Sequence, residues 1–110
     1  MESDIIKTPE GDLVISFLGH ASLMLSWNDK IIHVDPVSCE ANYKMLPGAD
    51  MILITHDHDD HLDLNAVHCV KTATTKIVGT SGVEKHLHGI VVMKNGETRV
   101  VDGLKIEAVA

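Results

Sequence analysis

Residues 52–63 read ILITHDHDDHLD, and the last eight of them hold three histidines and four aspartates. An apolar run that stops in a dense set of metal-type side chains raises the question of which fold ends a strand there. Met51 to Thr55, MILIT, is continuously apolar before its final polar residue, the pattern of a strand buried on both faces. Asp63 to Lys71, DLNAVHCVK, predicts a helix capped by Asp63, with Leu64, Val67 and Val70 on one stripe. The metal-type residues therefore join a buried strand to a helix.

In extended backbone, residues i and i+2 point to the same side, so His56 and His58 can reach one cation together. Asp60 and His61 are adjacent and share a centre only where the backbone turns, and the approach to the helix supplies that turn. The spacing suggests two neighbouring metal positions, one using His56 and His58, the other Asp60 and His61. Imidazole and carboxylate suit zinc, iron or manganese. Two such ions roughly 3.5–4 Å apart can activate a bridging water and stabilise a leaving oxygen. A solvated acidic loop explains a lone histidine well. It does not explain H-x-H-x-D-H at the end of an apolar strand.

Working outward, LVISFL (13–18), ASLMLSW (21–27) and KIIHV (30–34) read as an antiparallel meander. Asn28-Asp29 makes a hairpin turn there, and Asp35-Pro36 ends the last strand. Residues 36–49 read as loop. After the helix come strand KIVGT, a short helix SGVEKHL with Ser81 near its start, and strands IVVMK, TRVV and LKIEAVA. Asn95-Gly96 and Asp102-Gly103 are expected hairpin turns. The class is α/β, a mixed sheet with flanking helices. The last strand runs to the end of the sequence without turn or cap, as an interrupted domain would.

The chain has 110 residues, 45% of them hydrophobic and 3% aromatic, so one small domain must build its core from aliphatic residues. The net charge of −7 argues against non-specific nucleic-acid binding, which needs cationic side chains to replace phosphate counterions. Cys39 and Cys69 form no disulfide framework and read as small buried hydrophobes. Residues 1–12 form a polar N-terminal segment without the pattern of a signal peptide. No apolar run approaches the ~20 residues of a membrane span. A cytoplasmic location is the default expectation.

The stretch Thr55-His56-Asp57-His58-Asp59-Asp60-His61 resembles the signature of the metallo-β-lactamase superfamily. FLGHAS (17–22) is similar to the opening of the branch that contains ascorbate-6-phosphate lactonase and related metal-dependent hydrolases. VDP (34–36) is similar to the early strand end whose Asp supports the metal loop. The resemblance covers Leu13 to the C-terminus. It implies the N-terminal half, residues 13–110, of an αβ/βα sandwich. It also implies a hydrolase whose metal-bound hydroxide attacks a small ester, lactone or phosphorylated substrate.

His56 and His58 would bind the first metal and Asp60 and His61 the second, with Asp60 also counted as catalytic. The metals would be zinc or manganese. Asp35 would orient a ligand without binding metal itself, and His20 would lie near the mouth of the site. Family members have roughly 200–250 residues, a size one α/β domain reaches, and take three further ligands from the half beyond residue 110. The expectation is a fragment inactive alone, with weak or absent metal, that forms a homo-oligomer or needs its C-terminal half. The alternative is a non-catalytic half-domain that binds metal weakly or assembles with a partner chain.

His86-Leu87-His88 repeats the H-x-H spacing but has little carboxylate company and reads as a helix end. His33 should face the opposite side of its strand from Ile32 and Val34.

Overall fold

A computed structural model describes residues 2–19, 22–38, 41–55 and 63–109. Seven strands form one sheet in chain order: β1 (Glu2–Thr8), β2 (Gly11–Gly19), β3 (Ser22–Trp27), β4 (Lys30–Val34), β5 (Met51–Leu53), β6 (Lys76–Gly79) and β7 (Val91–Val92). β1 to β4 are antiparallel neighbours and β4 to β7 parallel ones. The meander is as expected. Asn28 and Asp29 both adopt positive φ, at 50° and 61°, and close the β3–β4 hairpin without a glycine. The polar segment 1–12 contains β1, which pairs along its length with β2 and is thus an edge strand of the same sheet.

Parallel pairing requires crossovers, and three short pieces supply them on one face. They are a 3₁₀ turn (Tyr43–Met45), α1 (Leu64–Val70) and α2 (Ser81–Glu84). Tyr43, Ala66, Val67, Val70 and Val83 pack there against Ile52, Ile54 and Ile77 of the sheet. The buried stripe of α1 is Ala66, Val67 and Val70, while Leu64 is exposed, one position off the expected stripe. Cys69 is also exposed, contrary to its reading as a buried residue; Cys39 lies outside the described residues. Thr80, one residue before Ser81, caps α2.

The opposite face carries a two-stranded hairpin, β8 (Thr98–Val101) with β9 (Leu104–Glu107). Asp102 and Gly103, at φ 50° and 81°, make its turn. Val101, Leu104 and Ile106 lie over Ile32, Met51 and Val78. The hairpin therefore covers part of this sheet face. Asn95-Gly96 turns the chain between β7 and β8, which belong to different sheets, so it closes no hairpin. Pairing register puts Ile6, Leu13, Ile15, Phe17 and Leu23 on this same face, outboard of the hairpin. There Ile6 is 48% and Phe17 43% exposed.

His33 faces away from Ile32, as its alternation implied, and is fully buried beside Tyr43 with ring centroids 5.7 Å apart. Its Nε2 donates to the Pro47 carbonyl at 3.1 Å, which fixes the tautomer because a carbonyl can only accept. Nδ1 is buried with no partner among the described residues. Desolvation pushes the His33 pKa below its ordinary 6.5, and the Pro47 bond only partly opposes it. The folded state thus keeps this ring neutral, while the unfolded chain protonates it near its ordinary pKa. Stability should fall as pH drops through that value. In urea titrations between pH 7.5 and 5.5, His33→Gln should show a shallower loss of stability than the natural chain. Equal slopes would mean that another group carries the dependence.

Candidate functional site

The candidate segment follows the ends of parallel strands β4 and β5. Open α/β sheets bind ligands beyond the carboxyl ends of their parallel strands. The two strands leave the sheet side by side, and Val34 pairs with Leu53 in the last register position. At the next residue the chain does something unfavourable. Asp35 takes a φ of 45° immediately before Pro36. A non-glycine residue in the left-handed region costs of order 1–3 kcal/mol, and a following proline disfavours helical backbone further.

The bonds around Asp35 account for its holding that conformation. Its N–H donates to the Leu53 carbonyl at 2.8 Å. Its own carbonyl accepts from the buried Ser22 hydroxyl at 2.7 Å. Its carboxylate accepts from the Thr55 N–H at 2.8 Å and from the Thr55 hydroxyl at 2.7 Å. Hydrogen bonds involving a charged group contribute about 1.5–3 kcal/mol each. The two bonds on the carboxylate together offset the backbone strain. Asp35 itself is 3% exposed, although Thr55, its partner in both, lies at the surface.

The far end of the segment is held in a similar way. Asp63 caps α1, its Oδ1 accepting from the Ala66 N–H at 3.1 Å. Its Oδ2 accepts from the Ser38 N–H at 2.9 Å, tying the helix start to the loop that follows Pro36. Desolvation is the largest single influence on the Asp63 pKa and raises it. Hydrogen bonds from Ser38, Ala66 and Asn65 together outweigh it and hold the carboxyl below its usual range. The described residues on either side, Thr55 and Asp63, thus each take part in a carboxylate clamp, Asp35 on Thr55 and Asp63 on α1.

His56, His58, Asp60, His61 and His20 lie outside the described residues. Among the described residues, no group of three or more His, Cys, Asp or Glu is placed to hold a metal. His68, His86 and His88 are exposed, and His33 is in the core. Thr55 opens onto a cavity of about 250 Å³ whose walls include Leu53, Val78, Met93 and Ile106, with Thr80, Asn95 and Glu107 as polar members. Tyr43 is buried under the helices, Met45 is exposed, and Trp27 bonds Thr8 at 2.9 Å; none of the three lines this cavity.

Sequence reasoning singled out Asp35 but gave no role to Thr55, Ser22 or the second bond of Asp63. Thr55 and Ser22 stood within quoted motifs, which was the available signal. Their partners are 20 and 13 residues away, so spacing alone could not pair them.

A family model described as "Beta-lactamase superfamily domain" matches residues 14–110. A metal-dependent hydrolase of Methanospirillum hungatei is 31% identical over 94 residues, covering 82% of this chain and 39% of that protein. One from Saccharolobus solfataricus is 26% identical over 106 residues, covering 84% and 47%. A solved protein of Parabacteroides distasonis, a candidate metal-dependent hydrolase, superposes with a TM-score of 0.94 at 44% identity, over 98% of this chain and 50% of that one. Igni18, a metallo hydrolase of Ignicoccus hospitalis, shares the fold at a TM-score of 0.60 and 19% identity. The chain spans half or less of the length of these proteins. By the match over residues 14–110, the chain belongs to the β-lactamase superfamily.

Proposed function

We propose that this chain carries half of the catalytic apparatus of a metal-dependent hydrolase acting on a small ester, lactone or phosphorylated substrate. The observation that supports this reading best is the double clamp. A stretch of sequence with three imidazoles and several carboxylates is flanked by Thr55, bonded to Asp35, and by Asp63, which caps α1. Its donor set suits zinc or manganese. His56 and His58 would hold one ion, Asp60 and His61 a second. Such ions, when bound, supply a lowered water pKa and charge stabilisation at the leaving oxygen. Asp35 would act by fixing the backbone ahead of His56, and His20 would stand at the mouth of the site. The mostly apolar cavity beside Thr55 favours a small substrate with an apolar portion. We place the protein in the cytoplasm; among the described residues no helix is long and apolar enough to cross a membrane.

The family resemblance supports completion of the site by ligands from a further segment of the length the relatives carry. Two protein ligands per ion, where catalytic zinc usually has three, should bind weakly. Calorimetric titration of the 110-residue chain with zinc or manganese should give weak or no binding. Whatever binding there is should vanish in His58→Ala and persist in His86→Ala. Tight binding of two ions per isolated monomer would remove the argument for an incomplete site.

Hydrolysis should follow the same logic. The chain alone should turn over lactones and phosphodiesters negligibly, and addition of a C-terminal half, in cis or as a second polypeptide, should restore metal-dependent turnover. Robust turnover by the short chain would overturn the incomplete-site reading.

A second reading, a non-catalytic half-domain that assembles with a partner chain, is favoured by the exposed strip around Ile6 and Phe17. Exposed apolar patches usually mark interfaces, and two-fold closure is the commonest homo-oligomer. Light scattering at micromolar concentration should find a dimer or larger species, and Phe17→Asp should shift it toward monomer. A stable monomer would count against self-association.

A further inference from the structure

The GHAS stretch, 19–22, matched a family pattern in the sequence without its serine having any evident task. We infer that Ser22 is a positioning residue for the metal segment, acting through Asp35; the inference rests on the metal-dependent reading proposed above. Ser22 opens β3, is 1% exposed, and directs its hydroxyl to the Asp35 carbonyl at 2.7 Å, 13 residues along the chain. That carbonyl belongs to the residue at φ 45° whose carboxylate holds both donors of Thr55. A left-handed residue before a proline relaxes most directly by rotating its peptide, which would swing the carbonyl away from β3. The Ser22 bond opposes that rotation. It thereby keeps the carboxylate aimed at Thr55, the residue immediately ahead of His56.

The geometry separates this role from general packing. Ser22 contributes one hydroxyl rather than a large apolar surface, and its bond ends on a strained backbone group bonded to Thr55. Threonine, cysteine and alanine at position 22 differ chiefly in that donor, so the effect can be graded.

Amide hydrogen exchange on the natural chain and its variants tests the inference without any metal. Ser22→Ala should speed exchange at Thr55 by about an order of magnitude, the effect of losing one ordinary hydrogen bond. Ile52 and Ile77, in the centre of the sheet, should exchange as before. Ser22→Thr should restore protection at Thr55. In an Asp35→Asn background, Ser22→Ala should add little, because both changes act through one residue. If Ser22→Ala does not fold, Ser22→Cys, which replaces one atom and weakens the donor, carries the same measurement.

Unchanged exchange at Thr55, a rise in step across the whole sheet, or additive effects of the two substitutions would each overturn the inference. Where the chain binds zinc weakly, titration then links it to the site; where it binds none, the exchange data alone decide the role of Ser22. Ser22→Ala should weaken zinc binding about tenfold, as loss of a supporting contact does, whereas His58→Ala should abolish it. If His58→Ala leaves zinc binding intact, the metal reading fails while the exchange data still decide the role of Ser22 at Thr55. Zinc affinity unchanged in Ser22→Ala but lost in His58→Ala would overturn the Ser22 inference alone.

Discussion

The described site depends on one unfavourable residue. Asp35 leaves its strand in a left-handed conformation in front of a proline, and the fold tolerates this because Leu53, Ser22 and Thr55 each bond a different part of it. The consequence is geometric. β4 and β5 are tied beyond their last paired residues, and Thr55 is held where the chain leaves the sheet. Remove the bonds and the backbone has every reason to relax to an extended conformation. Keep them and the chain toward His56 starts from a fixed point at Thr55.

That fixed point requires β4 and β5 to be parallel neighbours, which the helical layer makes possible. The Asp50 carboxylate accepts from the Ile31 N–H at 2.7 Å, and the Asp50 N–H donates to the Ile31 carbonyl at 2.8 Å, so β5 is registered on β4 before either strand reaches the site. Tyr43, Val67 and Val70 then bury this face of the sheet. Burial has an electrostatic cost at His33, whose ring is held neutral with one nitrogen unpaired among the described residues. A buried polar group without a partner costs roughly 1–3 kcal/mol, which the surrounding aliphatic packing must exceed.

The other face is less completely covered. The β8–β9 hairpin protects the centre of the sheet over Ile32, Met51 and Val78, but Ile6 and Phe17 lie beyond its reach. A two-stranded sheet is marginal by itself, so the hairpin owes its position to the apolar face beneath it. The helix-covered layer meets the site at Thr55 through β5, and the hairpin contributes Ile106 to the cavity beside it. The relatives of this family carry at least as much chain again.

Much of this was legible in the amino-acid order because it is local. Alternation and turn residues set the meander, the apolar run MILIT set a strand buried on both faces, and Asp63 three residues before Ala66 set a helix cap. The H-x-H-x-D-H spacing proposed a candidate metal stretch from its donor chemistry alone. What the sequence could not specify were relations between residues far apart in the chain. Whether the buried stripe of α1 runs through Leu64 or Ala66 depends on what packs against it. Whether Asn95-Gly96 closes a hairpin depends on which sheet takes the next strand. The partners of Asp35 are a serine 13 residues before it and a threonine 20 residues after it. Only the folding of β3 and β5 onto β4 brings those donors to one carbonyl and one carboxylate, because hydrogen bonds form over about 3 Å of space and are indifferent to distance along the chain.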